Sequence, residues 1–203
     1  MAITGVLLGD VVNSKKVPPE QWQNLLSEIL TLYGRYEIFR GDSFQLEIKQ
    51  AKNVILAAIH IKATMRSIEN LDVRIAIGLG EKNIQGDENV RVSHQYSQAH
   101  INSGELFETM KRKTRIAIRS PIKGFDEAFN LYLDLASMTM NQWTPSSAEA
   151  IRLAIEHPEV TQRELSEMLD ITQGSISERL SRAGFNEIMR IVHRFQKVVK
   201  PFI

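Results

Sequence analysis

The first eighty residues alternate between strand and helix patterns, and this order limits the folds open to the chain. An apolar run at 3–8 and the alternation at Asp72–Gly80 predict strands. Apolar residues at spacings of three and four predict amphipathic helices over 22–33, ended by Gly34, and over 54–68. Between the helices, residues 36–48 predict two short strands joined at Gly41-Asp42.

The resulting order, βαββαβ, predicts a ferredoxin-like sheet within an α+β chain. In such a sheet the first strand lies beside the third, and helices cover one face. Asp10, which follows the first strand, and Asp42, in a two-residue turn, then become neighbours at one edge. Two adjacent carboxylates repel unless a cation lies between them, so the pair is a candidate Mg²⁺ or Mn²⁺ site.

Phosphate-binding groups are expected at the same edge. Ser14, Lys15 and Lys16 follow Asp10 closely, and backbone N–H groups at the start of the next helix suit an anion. Metal and nucleotide binding are therefore compatible with the pattern. The alternative is that Asp10 is an ordinary loop or cap residue and that Asp42 is an ordinary turn residue.

Composition excludes several classes of site and partner. The chain has no cysteine, which removes disulfides and thiolate chemistry, and its formal charge of +1 gives no global field for nucleic acid or membrane. The N-terminal apolar run lacks the basic start of a signal peptide, and no segment is long enough to span a membrane. We expect a cytoplasmic protein without membrane contact.

The middle of the chain carries weaker signals. Residues 81–91, with Gly86-Asp87 as a turn, indicate an excursion from the sheet. The basic residues of 111–119 fit either phosphate contact or a helix end. A strand is expected over 114–120. The apolar residues of 125–140 predict a helix used for the core or for dimerisation.

Trp143 to Ser147 is the best domain boundary, which divides the chain into 1–143 and 144–203. Beyond it, Thr161 and Glu164 form a capping box. A second short helix is expected from Gln173, capped by Thr172. Two short helices joined by a three-residue turn predict a helix-turn-helix in an all-α second domain.

The second of these helices holds the candidate DNA-binding residues. Amide and guanidinium groups suit base edges, and hydroxyls suit phosphate. From Ile171 onward six Lys and Arg face two Asp and Glu. Because one such unit binds weakly, we expect a homodimer on double-stranded DNA. The alternative is a helix-turn-helix used only for packing or protein contact. The candidates are Thr172, Gln173, Ser175, Ser177, Arg179 and Arg182.

Several motifs carry a resemblance. Gly9-Asp10-Val11-Val12-Asn13-Ser14, Arg40-Gly41-Asp42-Ser43-Phe44-Gln45 and Arg74 to Gly80 resemble, in this order, the SatD family of bacterial proteins. Thr161 to Leu180 resembles a bacterial helix-turn-helix, with Ser166 in place of the usual Ala and Asp170 in place of the turn Gly.

More distantly, residues 1–120 resemble the palm of class III nucleotidyl cyclases and GGDEF domains. That resemblance implies that Asp10 and Asp42 hold Mg²⁺ for phosphoryl transfer. Asn102 stands where those families carry an Asn, but no Arg follows one turn later.

Three functional hypotheses result. The leading one is a DNA-binding transcriptional regulator whose palm-like domain senses a ligand or dimerises. The second is a metal-dependent nucleotidyl transferase or cyclase that uses Asp10 and Asp42. The third is a regulatory protein with neither activity that binds other proteins.

Overall fold

The structure, a computed structural model, describes residues 3–81 and 97–203. Within them the chain is α+β, with a mixed five-stranded sheet in the order β2-β3-β1-β4-β5. The strands are β1 Ile3–Val12, β2 Gly34–Phe39, β3 Ser43–Ile48, β4 Asp72–Glu81 and β5 Ile116–Arg119. The eight α-helices of these residues are α1 Gln23–Tyr33, α2 Val54–Arg66, α3 Gln98–Thr109, α4 Phe125–Met140, α5 Pro145–Glu156, α6 Gln162–Met168, α7 Gln173–Arg182 and α8 Phe185–Val199.

Strand β1 is the centre of the sheet. It pairs antiparallel with β3 on one side and with β4 on the other, and β2 pairs antiparallel with β3. The expected adjacency of the first and third strands is confirmed. Strand β5 adds to β4 in parallel, which makes the sheet mixed. Strand β1 runs to Val12, so Asp10 lies inside the strand, whereas the sequence placed it after the strand's end.

Helices cover both faces of the sheet, which corrects the expectation that they cover one. The face formed by alternate residues such as Leu7, Ile75 and Ile77 belongs to the main core with α1 and α2. On the opposite face Ala76 packs with Met110 of the segment that follows α3. The cause is the additional helix α3, which lies over β1, β4 and β5.

Helix α2 is buried on nearly every side, although its sequence predicts an amphipathic helix. Residues Ala57 to Met65 are all buried, and they include His60 and Lys62. The sheet covers one side of α2, and α1, α5 and α8 pack against the others. Polar side chains at these positions must therefore find partners inside the protein.

The β2–β3 hairpin has a three-residue loop, not the expected two-residue turn. Phe39 pairs with Ser43, so Arg40, Gly41 and Asp42 form the loop. Two positive φ angles, 54° at Arg40 and 87° at Gly41, close it. The sequence correctly marked Gly41 as the residue that permits this backbone.

One hydrophobic core continues across the predicted boundary near Trp143. The Trp143 side chain is buried and its indole N–H donates to the carbonyl of Ala183 at 2.9 Å. Helix α5 packs on α2, and α8 packs beside the short turn Ala51–Asn53. The last sixty residues are thus joined to the sheet through α2. No helix of residues 3–81 and 97–203 is long and apolar enough to cross a membrane.

Candidate functional site

The two candidate metal carboxylates lie on neighbouring strands at one end of the sheet. Asp10 is directly opposite Ser43, the residue after Asp42. The Val11 N–H donates to the carbonyl of Asp42 at 2.9 Å. The sequence-based prediction that Asp10 and Asp42 become neighbours is therefore confirmed at the level of the backbone.

The Asp10 carboxylate is held by a cation from the protein itself. Arg74 lies opposite Asp10 in the β1–β4 register, and its Nη2 and Nε lie 3.1 Å and 3.4 Å from the two carboxylate oxygens. The guanidinium also stacks over the Phe107 ring, 4.0 Å from its centroid. A fork-like pair of this kind neutralises Asp10 and fixes its orientation.

Asp42 is held by a hydroxyl. The Ser14 side chain donates to Asp42 Oδ2 at 2.6 Å. Ser14, Lys15 and Lys16 form a 3₁₀ turn after Asn13, and both lysines are exposed. The turn thus brings the Ser14 hydroxyl to the loop that contains Asp42, and the two exposed lysines follow Ser14 directly in the chain.

These residues fit a metal centre poorly in the arrangement observed. A divalent ion bound by Asp10 would have to displace Arg74, and one bound by Asp42 would compete with Ser14. Among the described residues, no group of three or more His, Asp or Glu could hold a metal ion. The site therefore offers oxygen ligands that already have partners.

The residue expected to match the cyclase Asn is used inside the fold. Asn102 is buried on α3, donates to the carbonyl of Leu79 at 2.7 Å and accepts from Gln98. The bond to Leu79 fastens α3 to β4, and the bond from Gln98 orients the Asn102 side chain. The predicted turn at Gly86-Asp87 lies outside the described residues.

Two buried polar networks surround α2. The Lys62 ammonium lies 2.6 Å from Asp72 Oδ1 and 3.0 Å from Asn141, and Arg115 approaches Asp72 Oδ2 at 3.3 Å. Burial lowers the pKa of Lys62, and the charge of Asp72 partly opposes that shift. Because these bonds join α2, β4 and α4, we interpret the network as structural.

The second network joins α1, α2 and α5. His60 lies between the Tyr33 hydroxyl, 2.8 Å from Nδ1, and Glu156, 3.3 Å from Nε2. The hydrogen bond to His60 lowers the pKa of Glu156, while its own burial opposes the shift. This network fastens the C-terminal helices to the sheet domain.

Helices α6 and α7 are short, and a side chain caps each one. Thr161 accepts from the Glu164 N–H while Glu164 accepts from the Thr161 N–H, which confirms the predicted capping box. Thr172 accepts from the Ser175 N–H at 3.2 Å, as predicted for the start of α7. Such caps stabilise helices too short to persist alone.

The turn between α6 and α7 is fully hydrogen-bonded. Asp170 has a left-handed φ of 50°, which fits its position in place of a glycine. The Ile171 N–H donates to the carbonyl of Ser166 and the Asp170 N–H to that of Glu167, the two bonds of a Schellman motif. These bonds end α6 and set the direction in which the chain leaves it, and the packing of α6 against α7 holds the two helices together.

Helix α7 buries one face and exposes the other. Ile176 and Leu180 are buried, and α7 packs against α5, α6 and α8. The outer face contains Gln173, Gly174, Ser177, Glu178, Ser181 and Arg182, which are exposed. An apolar anchor of two residues thus presents a polar helix surface to solvent.

The six candidate DNA-binding residues do not all share that outer face. Gln173 and Ser177 are exposed at a spacing of four, whereas Ser175 and Arg179 are half-buried on the other flank. Thr172 and Ser175 bond to each other through their hydroxyls at 2.9 Å. Arg182 pairs with Glu178 one turn earlier. Gln173 and Ser177 are therefore the most available of the six.

Sequence reasoning missed two features of the candidate site. Arg74 was noted within a motif but given no role, because only the β1–β4 register shows that it faces Asp10. In α8, Arg190, His193, Arg194 and Lys197 form an exposed basic stripe. The stripe could have been found from its spacing of three and four opposite the buried Ile188, Val192 and Phe195.

Comparison with known proteins identifies a family. A family model described as SatD family (SatD) matches residues 5–199. No curated protein and no solved structure matches the chain significantly.

Proposed function

The chain belongs to the SatD family, and we propose that this member is a transcriptional regulator that binds double-stranded DNA through a helix-turn-helix formed by α6 and α7. The observation that carries the proposal is the anchoring of α7. This ten-residue helix is capped at Thr172 and held by buried Ile176 and Leu180, while Gln173 and Ser177 project from its exposed face. In a helix-turn-helix, the N-terminal residues of the second helix contact base edges.

The chemistry of the exposed face suits a major groove. Gln173 carries an amide that can bond the N6 and N7 edge of adenine with two hydrogen bonds. Gly174 removes side-chain bulk from the same turn, which permits close approach of the backbone. Ser177, one turn later, can donate to a base or a phosphate.

Electrostatics support the proposal in one place and oppose it in another. The basic stripe of α8 adds positive charge to the C-terminal helices, and phosphate contacts supply most of the nonspecific affinity for DNA. Glu178, in contrast, lies on the outer face of α7 and occupies Arg182. We therefore expect modest affinity that depends strongly on salt.

The remainder of the chain forms the sensing or dimerising module of this proposal. Strands β1 to β4 with α1 and α2 have the strand order and directions of a ferredoxin-like palm, which supports the resemblance to cyclase and GGDEF palms. Lys15 and Lys16 are the groups available to a nucleotide phosphate there. A cytoplasmic location belongs to the same proposal.

Metal-dependent nucleotidyl transfer is less well supported. Phosphoryl transfer requires cations that stabilise charge on the transferred group. Of the two carboxylates that the palm resemblance implies for metal, Asp10 already binds Arg74 and Asp42 accepts a hydrogen bond from Ser14. We therefore assign the functional role to α7 and not to the carboxylate pair.

The matched ion pairs of α6 and α7 provide the test. Arg163–Glu167 and Glu178–Arg182 are both exposed and both one turn apart, but only the second lies on the proposed DNA-contacting helix. Duplexes that bind the wild-type protein should first be selected from a random pool. Gel shifts should then measure the affinity of each variant for a selected duplex. Glu178→Gln should tighten binding roughly three- to tenfold, because it removes a charge near phosphate and releases Arg182.

The control is Glu167→Gln, which should leave the affinity within about twofold of wild type. Equal effects of the two substitutions would contradict the assignment of α7 to the groove. Failure of the wild type to enrich any sequence from the pool would refute the proposed function itself.

A further inference from the structure

Helix α4 exposes a row of large apolar side chains. Leu131, Leu135 and Met138 have 56%, 57% and 70% of their surface exposed, and Tyr132 beside them has 37%. Single exposed apolar residues are common on proteins, and Leu32 on α1, 64% exposed, is one. Four on adjacent turns of one helix form a contiguous patch, which marks an interaction surface.

A groove adjoins this row on one side. It has a volume of about 420 Å³ and lies between α4, the end of α7 and the start of α8. Its apolar floor includes Ala136, Ile188 and Ile191, and Arg182 and Glu187 contribute the charges. The row and the groove together form one surface, which we call the α4 surface.

The spacing of the row is that of a two-helix seam. Leu131, Leu135 and Met138 follow at intervals of four and three, and Ala128 extends the series by one position. This is the repeat by which two parallel or antiparallel helices interlock their side chains. A patch with that repeat is complementary to itself, as a two-fold symmetric interface requires.

The charges beside the seam distinguish the two orientations. One flank carries Glu127 and Asp134, both exposed and both acidic. The other flank is the groove side, which carries charges of both signs: Arg182, whose side chain is 73% exposed and pairs with Glu178, and Glu187. An antiparallel pair would place the acidic flanks against each other, whereas a parallel pair places Asp134 of each copy toward Arg182 of the other.

We propose that the α4 surface binds a second copy of this chain, with the two α4 helices parallel about a two-fold axis. Ser181 and Arg182 border the groove, so the ends of both α7 helices lie at the same end of such a dimer. Two recognition helices at one end can contact successive half-sites of DNA. The role of the dimer in DNA binding rests on the proposed function, whereas the pairing of the two α4 helices does not.

Single cysteines test the orientation, because the chain has none of its own. In a parallel pair each seam residue meets its own copy, so Leu131→Cys, Leu135→Cys and Met138→Cys should each give a disulfide-linked dimer under mild oxidation. Leu32→Cys, equally exposed on α1, should remain monomeric on a nonreducing gel. If Leu131→Cys and Leu135→Cys formed a disulfide-linked dimer only when the two variants were mixed, and not when each was oxidised alone, the parallel arrangement would be overturned.

Sedimentation without DNA tests the interface itself. Wild type should form dimers in the micromolar range, Leu135→Glu should weaken the dimer at least about a hundredfold, and Leu32→Glu should behave as wild type. Wild type that stays monomeric at about 100 µM, or a dimer that Leu135→Glu leaves intact, would overturn the inference. A dimer that meets these expectations but selects no DNA would refute the proposed function alone.

Discussion

The buried Lys62–Asp72 pair gives the sharpest stability prediction. Lys62 is fully buried, and its ammonium has two described partners, Asp72 and Asn141. Asp72→Asn removes the only negative charge among them and leaves a buried cation without compensation. Breaking a buried ion pair in this way costs about 3–5 kcal/mol in the free energy of unfolding. For a chain of this length the melting temperature should fall by roughly 6–20 °C.

The reverse substitution should cost less. Lys62→Met leaves Asp72 with the Val73 N–H at 2.8 Å and with Arg115 at 3.3 Å, so its charge keeps two donors. The pair also predicts a double-mutant result. Lys62→Met combined with Asp72→Asn should recover much of the stability lost in Asp72→Asn, because no unpaired buried cation remains.

The pH dependence supplies a second, independent readout. Burial lowers the pKa of Lys62, and the charge of Asp72 is the main interaction that raises it. In Asp72→Asn that charge is absent, so the pKa of Lys62 should fall further below its ordinary value. Between that lowered pKa and the unfolded value, the unfolded chain binds more protons, and stability rises with pH. The difference in the free energy of unfolding between wild type and Asp72→Asn should therefore narrow as the pH rises toward the unfolded pKa of lysine, about 10.

Urea denaturation of the wild type, both single variants and the double variant measures these differences. A Lys62→Met variant less stable than Asp72→Asn, or a difference that widens with pH, would refute the reasoning.

Two further predictions concern other ion pairs. The pKa of Glu156 is lowered in the fold, chiefly by its hydrogen bond to His60, so its contribution to stability is fully present above the unfolded pKa. The loss from Glu156→Gln, about 1 kcal/mol at neutral pH, should vanish in urea titrations as the pH falls through that lowered pKa. A loss that persists in acid would contradict this. Arg74→Ala frees the Asp10 carboxylate, so Mn²⁺ should raise the melting temperature of this variant. It should not raise that of wild type or of the control Arg119→Ala. An equal response of all three proteins would show that Arg74 does not block the ion.

The sequence predicts the sheet because strand patterns and turns are local signals. The order of the first four strands follows from βαββαβ, and the adjacency of Asp10 and Asp42 follows from that order. The partner of Asp10 does not follow, because Arg74 is sixty-four residues away and faces Asp10 only in the β1–β4 register. Register is a tertiary property, and a shift of one residue would turn Arg74 to the other face.

Helix α2 shows the same limit for burial. Its hydrophobic pattern, interrupted by His60 and Lys62, favours an amphipathic helix, but elements distant in sequence cover nearly all of it. The caps of α6 and α7 were predictable because capping depends on residues three apart. The division of α7 into an outer face and two flanks was not, because it depends on which side packs against α5.

The binding selectivity of α7 tests the central claim most directly. Gln162 and Gln173 are each exposed and each follow a capping threonine, the first on α6 and the second on α7. Fluorescence anisotropy should compare a selected duplex with a scrambled one for Gln162→Ala and Gln173→Ala. We predict that Gln173→Ala lowers the ratio of the two affinities at least about fivefold, the effect of about 1–3 kcal/mol from one base contact, while Gln162→Ala preserves it. An unchanged ratio for Gln173→Ala, or equal losses for both variants, would contradict the account.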